Sequence, residues 1–157
     1  MVISHTHSSF TVSNLERSVD FYHDLLGFTV ESLFEAQGAS IEQITALPGA
    51  HVTVAHLLLR SFRLELAQYL SPTGQVLDTA TQNVGSAHIA FYTEDVEATY
   101  RELSGKGVHF RGAPVAAAPG RPRVAYFLDP DGIILELSEE QADYIGVTPE
   151  GPFKPDH

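Results

Sequence analysis

The chain has 157 residues, with 9 Lys and Arg against 20 Asp and Glu, and a formal net charge of −11 with its 8 His counted as neutral. That balance excludes a nucleic-acid binder or a protein that docks on anionic membrane surfaces, both of which need basic patches. The absence of cysteine excludes disulfides and thiolate ligands, and 43% hydrophobic residues suffice for one domain or two small modules sharing a core. The N-terminal stretch has no basic run followed by a long apolar one, so no signal peptide is expected. No window approaches the roughly 18 consecutive apolar residues of a membrane span. A soluble, cytoplasmic protein is the expectation.

Residues 6–12 alternate, with Phe10 and Val12 on one face and His7, Ser9 and Thr11 on the other. This predicts a half-buried strand. Ser13 or Asn14 caps the helix that follows, and Glu16 stands at capping-box spacing from Ser13. Leu15, Val19, Tyr22 and Leu26 make one apolar stripe, which Gly27 ends. Strand-like runs follow at residues 28–34, 51–59 and 62–69. Between the first two, Ala39 to Ala50 predicts a short helix ended by Pro48 and Gly49, placed to cover a pocket. A polar stretch with Pro72 and Gly74 reads as a linker.

The second half copies the first. In the strand opened by His88, Ile89 and Phe91 face one way and His88, Ala90 and Tyr92 the other. Asp95 caps a helix with Val96, Tyr100 and Leu103 as its stripe, ended by Gly105 and Gly107. Strand-like runs follow at residues 108–111, 123–128 and 133–138, with Asp129-Pro130-Asp131-Gly132 as a turn between the last two. The Pro- and Gly-containing C-terminal stretch reads as an extended or disordered arm. The predicted organisation is a first βαβββ module at 1–70, a linker at 71–85, a second βαβββ module at 86–140 and a tail at 141–157. The predicted fold is α+β, two tandem βαβββ modules forming a curved mixed sheet around a concave site.

Each half places an imidazole and a carboxylate at matching positions: His7 and Glu65, then His88 and Glu136. Glu65 lies between Leu64 and Leu66, and Glu136 between Leu135 and Leu137. Because strand side chains alternate, packing of the leucines turns both acids to the opposite face. Neutral imidazoles and carboxylates together suit Ni, Co, Zn, Mn or Fe(II). On residues alone, the four serve either as ligands of one ion or as the polar faces of amphipathic strands. Arg63 shares the face of Glu65 and suits an anionic substrate group. Arg121 and Arg123 flank Pro122 beside Gly120, at the expected pocket mouth, and Tyr92 and Tyr126 are candidate lining residues.

Three runs carry a resemblance: HSSFTVSNLERSVDFYHDLLGF from His7, GSAHIAFYTEDVEATYRELSGKGV from Gly85, and AYFLDPDGIILEL from Ala125. Together they resemble the vicinal oxygen chelate superfamily, which includes glyoxalase I, methylmalonyl-CoA epimerase, extradiol dioxygenases and bleomycin-resistance proteins. The resemblance implies one divalent metal ion per site, held by His7, Glu65, His88 and Glu136. It implies lyase or isomerase chemistry in which an enolate of a small carbonyl or acyl substrate is stabilised. Glu136 or Glu65 would be the catalytic base, with Glu136 preferred. It also implies a homodimer. Two alternatives stay open: an extradiol-type dioxygenase with Fe(II) on His7, His88 and Glu136, and a metal-free small-molecule binding or resistance protein. The family's bacterial glyoxalases carry an Arg and an Asn for glutathione where this chain has Thr11 and Tyr69. The epimerases carry a second Glu on the strand at 51–57, where this chain offers His56 as a substrate-contacting group.

Overall fold

The strand faces predicted from alternation are the ones the protein buries. The computed structural model describes residues 3–139, so the predicted tail at 141–157 lies outside the described residues. In β1 (Ser8–Thr11), Phe10 turns inward while Ser9 and Thr11 stay exposed. There follow α1 (Leu15–Asp20), a π-helical turn (Phe21–Leu25), β2 (Thr29–Gln37), α2 (Ala39–Thr45), β3 (His51–Leu59) and β4 (Phe62–Ser71). The second half has β5 (His88–Thr93), α3 (Val96–Gly105), β6 (His109–Phe110), β7 (Val115–Ala116), β8 (Arg123–Leu128) and β9 (Ile134–Glu139).

Two mixed sheets result, ordered β1-β4-β3-β2 and β5-β9-β8-β6, with β7 on the flank of β8. In both, the opening strand runs parallel to the closing one, and the remaining pairs are antiparallel. The fold is therefore α+β with a repeated βαβββ module. β1 corresponds to β5, β4 to β9, β3 to β8 and β2 to β6.

Two compact units divide the chain. The first comprises the described residues of Met1–Ala87 with Asp129–Ile133; the second comprises the described residues of His88–Leu128 and Ile134–His157. The turn of the second repeat thus belongs to the first unit. Its Asp131 accepts from the Ser13 backbone N–H at 2.9 Å and from Arg17 Nη2 at 2.6 Å. Its Asp129 accepts from the buried Tyr22 hydroxyl at 3.2 Å and from the backbone N–H groups of Asp131 and Ile133. Burial, chiefly, raises the Asp129 carboxyl above its ordinary value. Hydrogen bonds from Ser13, with the Arg17 charge, outweigh burial and hold Asp131 below its own.

In the first unit α1 packs on β3 and β4, where Ala55, Leu57, Leu64 and Leu66 are wholly buried with Tyr22. In the second, α3 packs on β8 and β9, burying Val96, Leu103, Phe127 and Leu135. Each buried leucine contributes about 1.5–3 kcal/mol. A one-residue slip of β4 or β9 would exchange two leucines for a carboxylate, so the register is strongly specified.

Three local expectations change. Asn14, not Ser13, caps α1, its side chain accepting from the Arg17 N–H at 2.9 Å; Ser13 is taken by Asp131. The helix widens into the π-helical turn after Asp20, which rotates the inward face. Leu15, Ser18 and Tyr22 are buried, and Val19 and Leu26 are only half-buried. Finally, α2 ends at Ala46, in the left-handed region at φ 56°, ahead of Pro48 and Gly49. Its Ile41 packs on a small cluster of Val52, Val54 and Ala67. Gly27 and Gly107 end their helices as expected, with φ of 75° and 88°. No helix among the described residues is long and apolar enough to cross a membrane.

Candidate metal centre

Within the first unit, β1 and β4 pair in parallel with Ser9 opposite Glu65. His7 stands two residues before Ser9 and so shares its face. The His7 Nε2 lies 3.8 Å from Glu65 Oε2. On the other side of β4, His56 of β3 is directly across from Glu65, with its Nε2 3.0 Å from Oε2. Ser9 Oγ donates to Glu65 Oε1 at 2.8 Å. Ser32 Oγ lies 3.2 Å from His56 Nδ1. The Phe34 ring meets the His56 ring edge-on at 5.4 Å. Burial of Glu65 raises its pKa, but the Ser9 and His56 hydrogen bonds and the nearby histidine charges outweigh it, and the carboxyl titrates below its ordinary value.

The second unit repeats the arrangement. β5 and β9 pair in parallel with Ala90 opposite Glu136, and His88 stands two residues before Ala90. The His88 Nε2 lies 3.2 Å from Glu136 Oε2. Tyr126 of β8 is directly across from Glu136, and its ring lies 5.2 Å from the His88 ring. Burial raises the Tyr126 phenol above its ordinary value, reinforced by the Glu136 charge and by the hydrogen bond between the two side chains.

The donor chemistry fits a divalent cation. Two ligands about 2.1 Å from one ion, at right to tetrahedral angles, stand about 3.0–3.4 Å apart. The His88–Glu136 pair already has that separation, at 3.2 Å. The His7–Glu65 pair is wider at 3.8 Å, with the imidazole 37% exposed and its Nδ1 3.2 Å from the Thr6 hydroxyl. Within each unit, among the described residues, no three His, Asp or Glu side chains gather into a set that could hold an ion; at the equivalent position the first unit presents His7 and His56 on Glu65, and the second presents His88 on Glu136 beside Tyr126.

The remaining sequence-predicted residues separate into those at the pairs and those elsewhere. His56 and Tyr126 are at the carboxylates. Tyr92 is 70% exposed on the face of β5 that carries His88. Arg63 shares the face of Glu65, but its guanidinium is committed to Glu31, through Nη2 and Nε contacts of 2.7 Å each. Arg123 is also paired. Its Nε and Nη2 donate to Glu139 at 3.1 and 2.8 Å and its Nη1 to Glu97 at 3.0 Å. It ties α3 to β9. Thr11 is exposed, and Tyr69 packs against the Val52, Val54 and Ala67 cluster. Sequence reasoning missed Ser9 and Ser32 as partners of the site. The alternation that turned His7 outward also placed Ser9 beside it, so Ser9 was findable. Ser32 follows a register shift in β2 that alternation does not reveal.

Comparisons with known proteins agree with this fold. The chain is 30% identical over 126 residues to the uncharacterized protein YraH of Bacillus subtilis strain 168, covering 80% of this chain and 90% of YraH. It is 30% identical over 139 residues to the glutathione transferase FosA of Serratia marcescens, covering 87% and 81%. Its fold matches that of a glyoxalase family protein from Bacillus cereus with a TM-score of 0.79 at 22% identity, covering 89% and 95% of the two chains. The family model for the Glyoxalase/Bleomycin resistance protein/Dioxygenase superfamily matches residues 3–137. A repeated βαβββ module of this register, matched over nearly the whole described chain, belongs to the Glyoxalase/Bleomycin resistance protein/Dioxygenase superfamily.

Proposed function

We propose that this protein is a divalent-metal-dependent lyase or isomerase acting on a small carbonyl or acyl compound, with His7, Glu65, His88 and Glu136 as the metal ligands. One observation carries the reading: the same histidine–carboxylate pair recurs in the same strand register in both units. An amphipathic strand needs a polar outer face, but that need does not select the same two chemical groups at equivalent places twice. The ion is Ni, Co, Zn, Mn or Fe(II), since a set of imidazoles and carboxylates accepts each of these. The enzyme is a cytoplasmic homodimer in this reading.

When bound, the ion supplies Lewis-acid polarisation of a substrate oxygen beside a carbon acid. Glu136 then takes the proton from that carbon at a carboxylate oxygen and returns it to the product. Glu65 is the fixed carboxylate, because Ser9 and His56 hold its two oxygens. The residue equivalent to Ser9 is Ala90, which has no hydroxyl to give Glu136, so Glu136 has one partner fewer than Glu65, with one oxygen left open, and this asymmetry makes it the better proton carrier. With Arg63 and Arg123 both paired to carboxylates, an uncharged substrate body suits the protein better than a strongly anionic one.

The experiment is elemental analysis of the purified protein, followed by turnover of small 2-oxo acids, thioesters and catechols with the reconstituted ion. Oxygen-independent turnover that Glu136→Gln abolishes supports the proposal. Oxygen-dependent cleavage of a catechol moves it to a dioxygenase, and a protein that takes up no divalent ion refutes it. The 30% identity to a glutathione transferase favours one second reading, addition of a thiol to a small electrophile. Glutathione consumption in the same screen distinguishes it.

A further inference from the structure

His56 and Tyr126 occupy equivalent positions in the repeat. Each lies on the strand antiparallel to the carboxylate strand, directly across from the carboxylate: His56 from Glu65 and Tyr126 from Glu136. Each ring also neighbours its unit's histidine, with centroids 5.9 Å from His7 and 5.2 Å from His88 respectively. The residue types differ, but both present a ring that ends in a hydrogen-bonding group, and that group meets the carboxylate.

These hydrogen bonds occupy the groups that a substrate would need. His56 Nε2 is 3.0 Å from Glu65 Oε2, and Nδ1 is 3.2 Å from Ser32 Oγ. A neutral imidazole donates from one nitrogen and accepts at the other. Here Nε2–H donates to the carboxylate, and Nδ1 accepts from the Ser32 hydroxyl. No nitrogen is left over. Tyr126 stands directly across from Glu136 on the neighbouring strand, its ring 5.2 Å from the His88 ring, so its phenol shares the carboxylate's face. A carboxylate offers about four lone-pair sites on two oxygens, so one such bond fixes its orientation and leaves sites for a cation.

We propose, on the metal reading given above, that His56 and Tyr126 are positioning residues that hold the two ligating carboxylates in orientation, a third repeated pair beside the two histidines and the two acids. Their place in the sheet is the second layer of the site: they act on the ion through Glu65 and Glu136 and do not touch the substrate. Hydrogen-bond partners of metal ligands typically govern affinity about 10–100-fold.

The test is calorimetric titration of the full-length, metal-free protein with Zn(II) and with Mn(II). His56→Ala and Tyr126→Phe should each weaken binding by about 10–100-fold. His56→Gln keeps an amide N–H donor and should recover most of the loss. The melting temperature of the metal-free variants should stay close to wild type, because the carboxylates, 22% and 16% exposed, lie on the polar face of each sheet and not among the buried core residues. Wild type that binds an ion while His56→Ala and Tyr126→Phe bind it equally well overturns the positioning role and leaves the metal reading intact. Wild type that binds neither ion overturns the metal reading and this proposal with it. Loss of affinity matched by a fall in metal-free melting temperature in all three variants also counts against it, since that marks a structural role.

Discussion

Asp131→Ala is the most informative test of how the chain is held together. The Asp131 carboxylate accepts from the Ser13 N–H at 2.9 Å, the Ser13 hydroxyl at 2.5 Å and Arg17 Nη2 at 2.6 Å. A hydrogen bond to a charged group contributes about 1.5–3 kcal/mol when shielded from water, and an exposed ion pair about 0.2–1 kcal/mol. Ser13 is exposed and the Arg17 side chain is 48% exposed, so screening takes each bond to the low end of its range. The three bonds also share one carboxylate and do not add. The expected loss is about 2 kcal/mol. At about 2–4 °C per kcal/mol for a chain of this size, the melting temperature should fall by about 4–8 °C. Arg17→Ala removes the exposed ion pair and the Arg17 Nη2 bond to the Ser13 hydroxyl at 3.0 Å, leaves both Ser13 bonds to Asp131, and should cost less than about 1 kcal/mol. Differential scanning calorimetry at low salt and at about 1 M salt checks both: the Arg17 share should fade with screening and the Asp131 loss should persist. If Asp131→Ala melts with Arg17→Ala at both salt concentrations, the docking of this turn does not contribute as reasoned.

Three further outcomes are expected. Asp131 has a folded pKa below its unfolded value, so its contribution is complete above about pH 4 and is lost as pH falls through the folded pKa; Asp129, with a raised folded pKa, contributes below about pH 4 and loses that contribution as pH rises through its folded value. Urea melts against pH should therefore show a flatter acid limb in Asp131→Asn and a steeper one in Asp129→Asn, and the reverse order would contradict the assignment. Arg123→Met leaves Glu97 and Glu139 facing one another without their shared cation; hydrogen exchange should quicken in α3 and stay unchanged in α1. An ion supplied at about 100 times its dissociation constant should stabilise the folded protein by about 2.7 kcal/mol, reversibly with a chelator, and His88→Ala should remove most of that gain.

Much of the fold was legible because the repeat states it twice. Alternation of apolar and polar residues set the faces of β1, β4, β5 and β9, since a half-buried strand has a period of two and a slip would bury a carboxylate. The caps at Asn14 and Asp95 and the glycines at 27 and 107 marked the helices through local backbone chemistry. Less was legible where the determinant lies elsewhere in the chain. Ser13 looked like a helix cap until Asp131 claimed it from 118 residues away. The buried face of α1 includes Ser18, three residues after Leu15, a residue no apolar pattern selects.

The candidate site divides in the same way. His7, Glu65, His88 and Glu136 were visible in the sequence by repetition alone, because each pair needs only the alternation of two strands that the repeat supplies. The sequence by itself therefore determined which side chains leave the core and that they do so as two matching pairs. Only the tertiary structure decided what those side chains meet. Strand register placed His56 across from Glu65 and Tyr126 across from Glu136, and long-range ion pairs committed Arg63 and Arg123 to carboxylates. Such partners depend on which strands lie side by side, and neighbours across a sheet are set by the folded chain and not by any local pattern.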